Sequence, residues 1–272
     1  MSQQWIPDDL PLEKPSPARI YDCVLGGYHN FEQDRAVAAQ LTGLYPDLAL
    51  AAQANRGFLR RAVQFLVEDG CDQFLDLGSG LPTAGNVHQV AQAANPEVHV
   101  VYVDIDPVAV AHGRAILADD PHTVALQGDM RQPAPILENE QVRALLDLER
   151  PVGLLAVVAL HYVVEDDSAW EAIDLLRARL APGSWLVIAH GIPEEQSAAG
   201  STGLGQTFQP ASSTRSRPRE EILRFFGDWQ LVEPGLVFTP LWRPEGEDDV
   251  LLNQPARGLT LAGVAKKPVP DP

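Results

Sequence analysis

A short apolar stretch that runs into two glycines constrains this chain more than any other part of it. Residues 74–77 predict a buried strand that Asp76 interrupts, and Gly78 and Gly80 follow before a helical pattern begins. Glycines at the end of a strand let a ligand approach the backbone closely, because no Cβ blocks it. The N-terminus of the next helix offers free N–H groups to a polar or anionic group. The stretch therefore predicts a ligand site at the end of this strand.

Acidic residues follow the next two predicted strands. An apolar run at residues 98–103 ends in Asp104, about where a βαβ unit places the carboxylate that holds a ribose. Asp106 precedes a proline, which predicts a helix N-cap rather than a ligand contact. Residues 123–127 predict a third strand, and Asp129 follows it by one glycine. Asp129 fits either a ligand contact or a plain turn residue.

Predicted strands and helices alternate from Cys71 onward. The order predicts an α/β fold with a doubly wound, mostly parallel, seven-stranded sheet that is Rossmann-like and ends in an antiparallel edge. Ligands bind such sheets at the carboxyl ends of the strands. The predicted strands cover residues 73–77, 98–103, 123–127, 152–160, 185–189, 229–238 and 259–265. The predicted helices between them cover residues 83–94, 107–117, 136–148, 168–180 and 218–226.

Three further helices are expected before the first strand. Residues 18–25 and 31–41 have helical apolar spacing, and Asn30 with Gln33 matches the capping box that opens a helix. A longer helix starts after Pro46 and ends near residue 67, and its apolar stripe contains Asn55 with Arg56 beside it. Polar groups on a core-facing stripe need a partner, either within the protein or in a ligand.

These patterns divide the chain into four parts. We expect a flexible arm at residues 1–17, a helical cap at 18–70, a ligand-binding Rossmann-like domain at 71–267 and a short tail at 268–272. Residues 193–216 are rich in small polar residues and lack periodicity, which indicates either a lid over the site or a disordered loop.

The charge of the chain bears on its partners. The 272 residues include 20 basic and 37 acidic side chains, for a net charge of −17, and no basic run. Binding to a nucleic-acid backbone needs clustered positive charge, so a small-molecule partner is expected instead. Cys23 and Cys71 lack the spacing of a disulfide framework or a metal site, and no metal is predicted. We expect a cytoplasmic protein, because the sequence has no signal peptide and no apolar run long enough to span a bilayer. The sequence predicts no particular oligomeric state.

Two ligands fit this geometry. A dinucleotide would favour an oxidoreductase, but its GxGxxG fingerprint needs a third glycine where this chain has Thr83. S-adenosylmethionine carries a ribose, an adenine and an amino-acid tail but no phosphate. Its ammonium fits an acid near residues 76–80, its ribose a carboxylate at Asp104 and its adenine an acceptor at Asp129. This placement favours S-adenosylmethionine.

Six segments carry a family resemblance that spans nearly the whole chain. The chain resembles the bacterial S-adenosyl methyltransferase family of class I methyltransferases, long catalogued as a domain of unknown function. The segments are ARIYDCVLGGYHNFEQDR, NRGFLRRAVQFL, QFLDLGSGLPTAGNVHQVAQ, VVYVDIDPVAVAHGRAIL, LAPGSWLVIAH and LAGVAKK. The resemblance implies methyl transfer from S-adenosylmethionine, and N-terminal helices that cap the cofactor through Tyr21, Asn30 and Arg56. The expected cofactor contacts are Tyr21, Asn30, Arg56, Asp76, Gly78, Ser79, Gly80, Asp104, Ile105, Asp129, Met130 and Leu160.

The acceptor and the need for a base remain open at this point. Methyl transfer from a sulfonium is an in-line displacement, which needs a general base only if the acceptor must lose a proton. His161, just past the fourth strand with Tyr162 beside it, is the candidate base, and His190 is the second candidate. Either histidine could instead be structural. A non-catalytic module that binds the cofactor or its demethylated product, as a sensor or scaffold, is the alternative function.

Overall fold

The computed structural model describes residues 14–82, 85–197 and 212–270. An eight-stranded sheet forms its centre, with the strand order β3-β2-β1-β4-β5-β8-β6 and with β7 also paired to β8. The strands are β1 Gln73–Leu77, β2 His99–Asp104, β3 Thr123–Gln127, β4 Gly153–Val157, β5 Trp185–Gly191, β6 Gln230–Leu231, β7 Val237–Phe238 and β8 Thr260–Lys266.

The first five strands are parallel, and β8 runs antiparallel to β5 beside it. β6 and β7 pair antiparallel with the other side of β8 and so run in the same direction as the first five strands. β6 and β7 pair with different parts of β8, since Leu231 lies opposite Ala265 and Phe238 opposite Leu261. β6 and β7 thus lie one after the other along the same edge of β8 and together take the place of a single edge strand. Counted in this way the sheet is seven strands wide, and the predicted seven-stranded sheet is confirmed. The single strand predicted over residues 229–238 is wrong, because Pro234 has no N–H for a ladder and interrupts it.

Nine helices in the described residues surround the sheet. The prediction of one helix over residues 136–148 is wrong: Asn139 ends α6 (Pro133–Glu138) and caps α7 (Glu140–Leu145), accepting from the Gln141 N–H at 2.9 Å. The start predicted at residue 83 lies outside the described residues. The helices are α1 Pro17–Val24, α2 Glu32–Leu44, α3 Leu48–Glu68, α4 Val87–Ala94, α5 Pro107–Ile116, α6 Pro133–Glu138, α7 Glu140–Leu145, α8 Asp166–Arg179 and α9 Arg219–Arg224.

Alternate side chains of the central strands enter two separate cores. In β1, Phe74 packs into the core shared with α3 and α4, whereas Leu75 and Leu77 pack into the core shared with α6 to α9. This period of two, with a helical layer on each face, is what a doubly wound sheet requires. Asp76 therefore shares its face with Phe74 and points toward the side of α3.

The N-terminal helices have a small core of their own. Ile20 of α1 packs with Val37, Ala38 and Leu41 of α2. α3 instead packs mainly against the sheet, through residues such as Phe58 and Leu66. α3 thus connects the first two helices to the sheet.

The predicted N-cap at Asn30 is wrong. α2 begins at Glu32, and the N–H that precedes it, on Phe31, donates to Asp34 Oδ2 at 2.9 Å. Asn30 instead donates from Nδ2 to Asp22 Oδ2 and to the Gly27 carbonyl, each at 2.9 Å. The capping box is therefore displaced by one residue from the predicted pair of Asn30 and Gln33, with Phe31 as the N-cap and Asp34 as the residue that accepts from its N–H.

Only parts of the predicted arm and loop lie in the described residues. Residues 1–13, 198–211 and 271–272 lie outside them, and with them most of the predicted arm and of the candidate lid. None of the helices in the described part of the chain combines the length and apolar character needed to cross a bilayer.

Candidate active site

The glycine turn after β1 is where the ends of three strands touch. Gly78 and Gly80 have φ values of +66° and +65°, which L side chains rarely adopt. A Cβ on Gly78 would lie 2.6 Å from Ala159 Cβ and 2.8 Å from Met130 Cε. Ala159 follows β4 and Met130 follows β3, so only glycine lets these strand ends meet. Two of the turn's N–H groups, those of Gly78 and Ser79, donate to the Val103 carbonyl of β2.

Asp104, at the end of β2, organises the same turn. Its Oδ2 accepts from the Gly80 N–H at 2.7 Å, and its Oδ1 accepts from the Asp106 N–H at 2.8 Å. Burial raises the pKa of the Asp104 carboxyl, and these backbone N–H groups oppose the shift. The next side chain, Ile105, is 56% exposed and offers an apolar surface beside the carboxylate.

Asp106 caps α5, as the sequence predicts. Its Oδ1 accepts from the Val108 N–H at 2.8 Å. Its Oδ2 accepts from the Ser16 hydroxyl, and Ser16 is the N-cap residue of α1. The start of α1 is thereby tied to the edge of the glycine turn, where an ideal Cβ on Gly80 would lie 3.8 Å from Ala18 Cβ.

A buried acid lies one residue before the turn. Burial raises the pKa of the Asp76 carboxyl to about 7, while the Arg56 guanidinium lowers it and the Asp104 carboxylate raises it. Arg56 itself donates to the Gly85 carbonyl and to Asn86 Oδ1, at 3.0 Å each. It therefore connects α3 to the start of α4 and acts on Asp76 through its charge.

The carboxylate of Asp129, which follows β3, is hydrogen-bonded to the side chain of Arg131. Both of its carboxylate oxygens accept from the Arg131 side chain, at distances of 2.6–2.9 Å. These bonds lower the pKa of Asp129 below its usual range. The predicted adenine acceptor thus keeps its place at the carboxyl edge of the sheet but shares its oxygens with a guanidinium.

The N-terminal helices bring a tyrosine and an asparagine together. The Tyr21 hydroxyl donates to the Ala52 carbonyl at 3.1 Å and accepts from Asn55 Nδ2 at 3.0 Å. Asn55 is only 4% exposed, and its Oδ1 has no hydrogen-bond partner among the described residues. Asn30, predicted as a cap contact, lies in the loop before α2, where Asp22 holds it.

The turn after β4 carries the candidate base. The strand predicted to residue 160 ends at Val157, since Val158 has a φ of +56° and Leu160–Tyr162 forms a 3-10 turn. His161 is half-buried, and its Nδ1 has no hydrogen-bond partner among the described residues. Burial, reinforced by the Arg217 guanidinium, lowers the pKa of His161 to about 4, so its imidazole is neutral at pH 7. Burial raises the pKa of Tyr162 far above its usual value, and nearby Tyr21 and Asp104 add to the shift.

His190 has a structural set of contacts instead. Its Nδ1 lies 2.8 Å from the Gly191 carbonyl, and its Nε2 lies 3.0 Å from Arg217 Nη1. A guanidinium only donates, so Nε2 is the acceptor and Nδ1 carries the proton. Burial lowers the pKa of His190 to about 3. With both nitrogens engaged, His190 cannot serve as the second candidate base.

Sequence reasoning missed Arg217, which holds the turn that carries His161. Arg217 is fully buried and forms an ion pair with Asp166 at 3.0 Å. It also donates to the Leu160 carbonyl at 3.2 Å and the Val163 carbonyl at 2.8 Å, on either side of His161 and Tyr162. The only sequence signal was an arginine at the end of an aperiodic loop, which gives no indication of burial.

A cavity of about 220 Å³ opens beside this turn. His161 and Tyr162 form one side, and Tyr21 and Asn55 of the N-terminal helices form the other. The segments after β5 and before β8 complete it, through Ile192 and Leu259 among others. The same short turn thus borders the glycine turn, through Ala159, and the cavity, through His161.

Comparison with known proteins assigns a family to this fold and site. The parallel sheet with a closing antiparallel strand and a glycine turn after β1 defines a Rossmann-like class I methyltransferase fold. The profile described as S-adenosyl methyltransferase matches residues 3–268, and the chain belongs to that family. The protein is therefore an S-adenosylmethionine-dependent methyltransferase, which confirms S-adenosylmethionine over the dinucleotide as the cofactor.

Two solved structures are similar over nearly their whole length. A candidate methyltransferase from Thermobifida fusca YX is 43% identical over 97% of this chain and 99% of its own, with a TM-score of 0.90. A DUF574 family protein from Streptomyces avermitilis MA-4680 is 33% identical over 94% of this chain and 99% of its own, with a TM-score of 0.88. An O-methyltransferase family protein from Burkholderia thailandensis, at 14% identity and a TM-score of 0.53 over 91% of this chain and 67% of its own, shares the fold alone. No curated protein matches the chain.

Proposed function

We propose that the protein transfers the methyl group in line to a small-molecule acceptor that binds in the cavity beside the turn Leu160–Tyr162. The observation that carries this proposal is the position of that turn. Its preceding residue, Ala159, lies against Gly78, while His161 and Tyr162 line the cavity. An acceptor in the cavity would therefore adjoin a cofactor at the glycine turn.

The residues at the glycine turn fit S-adenosylmethionine. Gly80 leaves its backbone open to close approach, because the nearest atom to an ideal Cβ there is Ala18 Cβ at 3.8 Å, whereas Ala159 and Met130 fill the corresponding space at Gly78. In our proposal the acid of Asp76 faces the ammonium, Asp104 accepts from the ribose hydroxyls, and Ile105 and Met130 pack on the adenine. Arg56, through its charge, serves the carboxylate end. When bound, the cofactor supplies an activated methyl group, so the protein's task is alignment and exclusion of water.

His161 and Tyr162 are the proposed catalytic residues. A neutral imidazole with a free nitrogen can accept a proton from an acceptor that must lose one. Tyr162 keeps its proton because of its raised pKa and can donate a hydrogen bond near the reacting atoms. Its electrostatic proximity to both Tyr21 and Asp104 supports a position between the cavity and the ribose site.

We further propose that the N-terminal helices close the site as a cap. The position of Ala18, 3.8 Å from where a Cβ on Gly80 would lie, and the hydrogen bond from Ser16 to Asp106 support this arrangement. Asn55 and Tyr21, on the cavity side of these helices, would then face the acceptor. The non-catalytic alternative would need a sealed site beside the glycine turn, and the cavity with its polar groups favours the enzyme.

Calorimetry tests the proposal. S-adenosylmethionine and S-adenosylhomocysteine should both bind, NAD and NADP should not, and a labelled methyl group should reach a small molecule. Tight binding of NAD or NADP with no response to S-adenosylmethionine would contradict the proposed ligand contacts. Cofactor binding without any methyl transfer over a broad panel of acceptors would favour the non-catalytic alternative.

Asp104 and Asp106 should separate into a ligand contact and a structural cap. Asp104→Ala is expected to weaken S-adenosylhomocysteine binding by about 1.5–3 kcal/mol, the usual range for hydrogen bonds to a charged group. Asp106→Ala should mainly lower the free energy of unfolding, by about 0.5–2 kcal/mol, through loss of the α5 cap. Calorimetry and chemical denaturation of both variants measure the two effects. The opposite pattern would move the ribose contact from Asp104 to Asp106.

A further inference from the structure

The walls of the cavity are mostly apolar. α1, α2 and α3 contribute part of the lining, and the segments after β4, after β5 and before β8 contribute the rest. Its larger aliphatic side chains include Ile20, Val24, Leu41, Leu48, Ile192 and Leu259. A ligand that fills this space must bury an apolar body, because burial against such walls stabilises apolar surface and penalises polar surface.

Among the described residues that line the cavity, none carries a positive side chain that could pair with a negatively charged ligand. The described residues that line the cavity include no lysine or arginine, and their one acid is Glu194. Residues 198–211, which lie outside the described residues, contain no charged residue in their sequence. Arg215 and Arg217 flank the lining residue Ser216, but Arg217 is fully buried on Asp166, and Arg215 pairs with Asp166 and Glu221.

Two of the lining residues each carry a buried hydrogen-bonding atom that lacks a partner among the described residues. Asn55 Nδ2 donates to Tyr21, which leaves its Oδ1 as an unused acceptor. His161 Nδ1 is likewise unpartnered, and the neutral ring can accept a hydrogen bond there. Leaving such atoms unsatisfied is costly, because each has lost its hydrogen bonds to water without gaining one in the protein. Donor groups on a ligand would remove that cost.

We propose that the methyl acceptor is an uncharged, largely apolar molecule with two hydroxyl groups, such as a hydroxylated aromatic ring system, and that one hydroxyl oxygen receives the methyl group. This inference rests on the proposed function. One hydroxyl donates to Asn55 Oδ1 and the other to His161 Nδ1. The second oxygen forms the new bond to the methyl carbon, and the carbon–sulfur bond breaks with its electron pair left on sulfur. The hydroxyl proton passes to His161 Nδ1 and then to water.

Binding of matched ligands to the protein loaded with S-adenosylhomocysteine tests the charge and donor requirements. The probes are 2,7-dihydroxynaphthalene, which is neutral with two donors, and 6-hydroxy-2-naphthoate, which carries a carboxylate on the same ring system. We expect calorimetry at neutral pH to give a dissociation constant at least about tenfold lower for the diol, because an unpaired carboxylate is costly to bury. With S-adenosylmethionine, mass spectrometry should find a methyl ether of the diol.

A variant that adds a cation to the cavity should reverse the preference. Leu48→Arg places a guanidinium in the lining and should bind the naphthoate at least about tenfold more tightly than the wild type does. Leu50→Arg, two residues away on α3, adds the same charge at a side chain that is 39% exposed and outside the lining, and should leave both affinities unchanged. Thermal unfolding of both variants checks that they fold.

The outcomes separate this inference from the proposed function. Equal or tighter binding of the naphthoate to the wild type, or failure of the diol to bind while S-adenosylhomocysteine binds, would overturn the acceptor class. Methylation at a ring carbon would overturn transfer to oxygen. Failure of S-adenosylhomocysteine to bind would instead overturn the proposed ligand contacts. The comparison in the wild type decides the question even if Leu48→Arg does not fold.

Discussion

Replacement of Gly78 by alanine is expected to lower the free energy of unfolding by about 2–5 kcal/mol and to remove detectable S-adenosylhomocysteine binding. An L residue in the left-handed region costs about 1–2 kcal/mol. The new Cβ would also lie 2.6 Å from Ala159 Cβ, and overpacking of this kind costs about 1–3 kcal/mol. The displaced atoms belong to the ends of β3 and β4, so the turn that carries His161 must shift as well. Chemical denaturation and calorimetry measure the two losses.

Two other glycines serve as controls. Gly80 has nearly the same φ, +65°, but a Cβ there would meet only Ala18, at an ordinary distance of 3.8 Å. Gly70, with a φ of +89° at the end of α3, has no atom within 4 Å of an added Cβ. Alanine at either position should cost only the backbone term of about 1–2 kcal/mol. Equal losses at all three glycines would mean that Ala159 and Met130 yield freely and that Gly78 has no steric role.

Replacement of Arg217 by methionine should lower the free energy of unfolding by about 2–5 kcal/mol, because a buried acceptor left without its donor costs about 1–3 kcal/mol. The substitution would leave the Leu160 and Val163 carbonyls and His190 Nε2 without a donor that they have now. It should also raise the pKa of His161, because the positive charge of Arg217 helps to keep that ring neutral. Chemical denaturation measures the stability, and NMR titration of the His161 ring measures the pKa.

Arg215 is the matched control for Arg217. Its side chain is 41% exposed and contacts the same acid, Asp166, as well as Glu221. Surface ion pairs contribute about 0–1 kcal/mol, so Arg215→Met should change stability little. Comparable losses for the two variants would show that the ion pair with Asp166, rather than the grip on the turn after β4, carries the effect.

The sequence was sufficient to predict the order of strands and the place where their ends meet. Near-continuous apolar runs separated by helical patterns are strong signals, and a right-handed crossover leaves few ways to join them. The glycine turn, Asp104 at the end of β2 and the cap at Asp106 followed from residue types whose backbone roles are narrow. Each of these features depends on neighbours close in sequence.

Contacts between distant segments could not be predicted in the same way. Arg217 meets His190 and Asp166 only because the fold brings the segment before α9 onto the turn after β4. The hydrogen bond that Arg217 donates is also what engages Nε2 of His190 and prevents this histidine from acting as a base. Pro234 interrupted a strand that propensity alone would have continued, and the capping box of α2 lies one residue later than predicted. In each case, tertiary packing or a competing local partner decided the outcome.

The split between β6 and β7 affects how the protein behaves at high concentration. A long, flat edge strand exposes a continuous row of N–H and C=O groups that can pair with the edge of another molecule. Here that side of β8 is covered by two strands of two residues each, with Pro234 and Gly235 between them. The outer row of backbone N–H and C=O groups therefore consists of two pieces of two residues each rather than one continuous strand. Intermolecular sheet extension, a common start of aggregation, has no continuous template along this side.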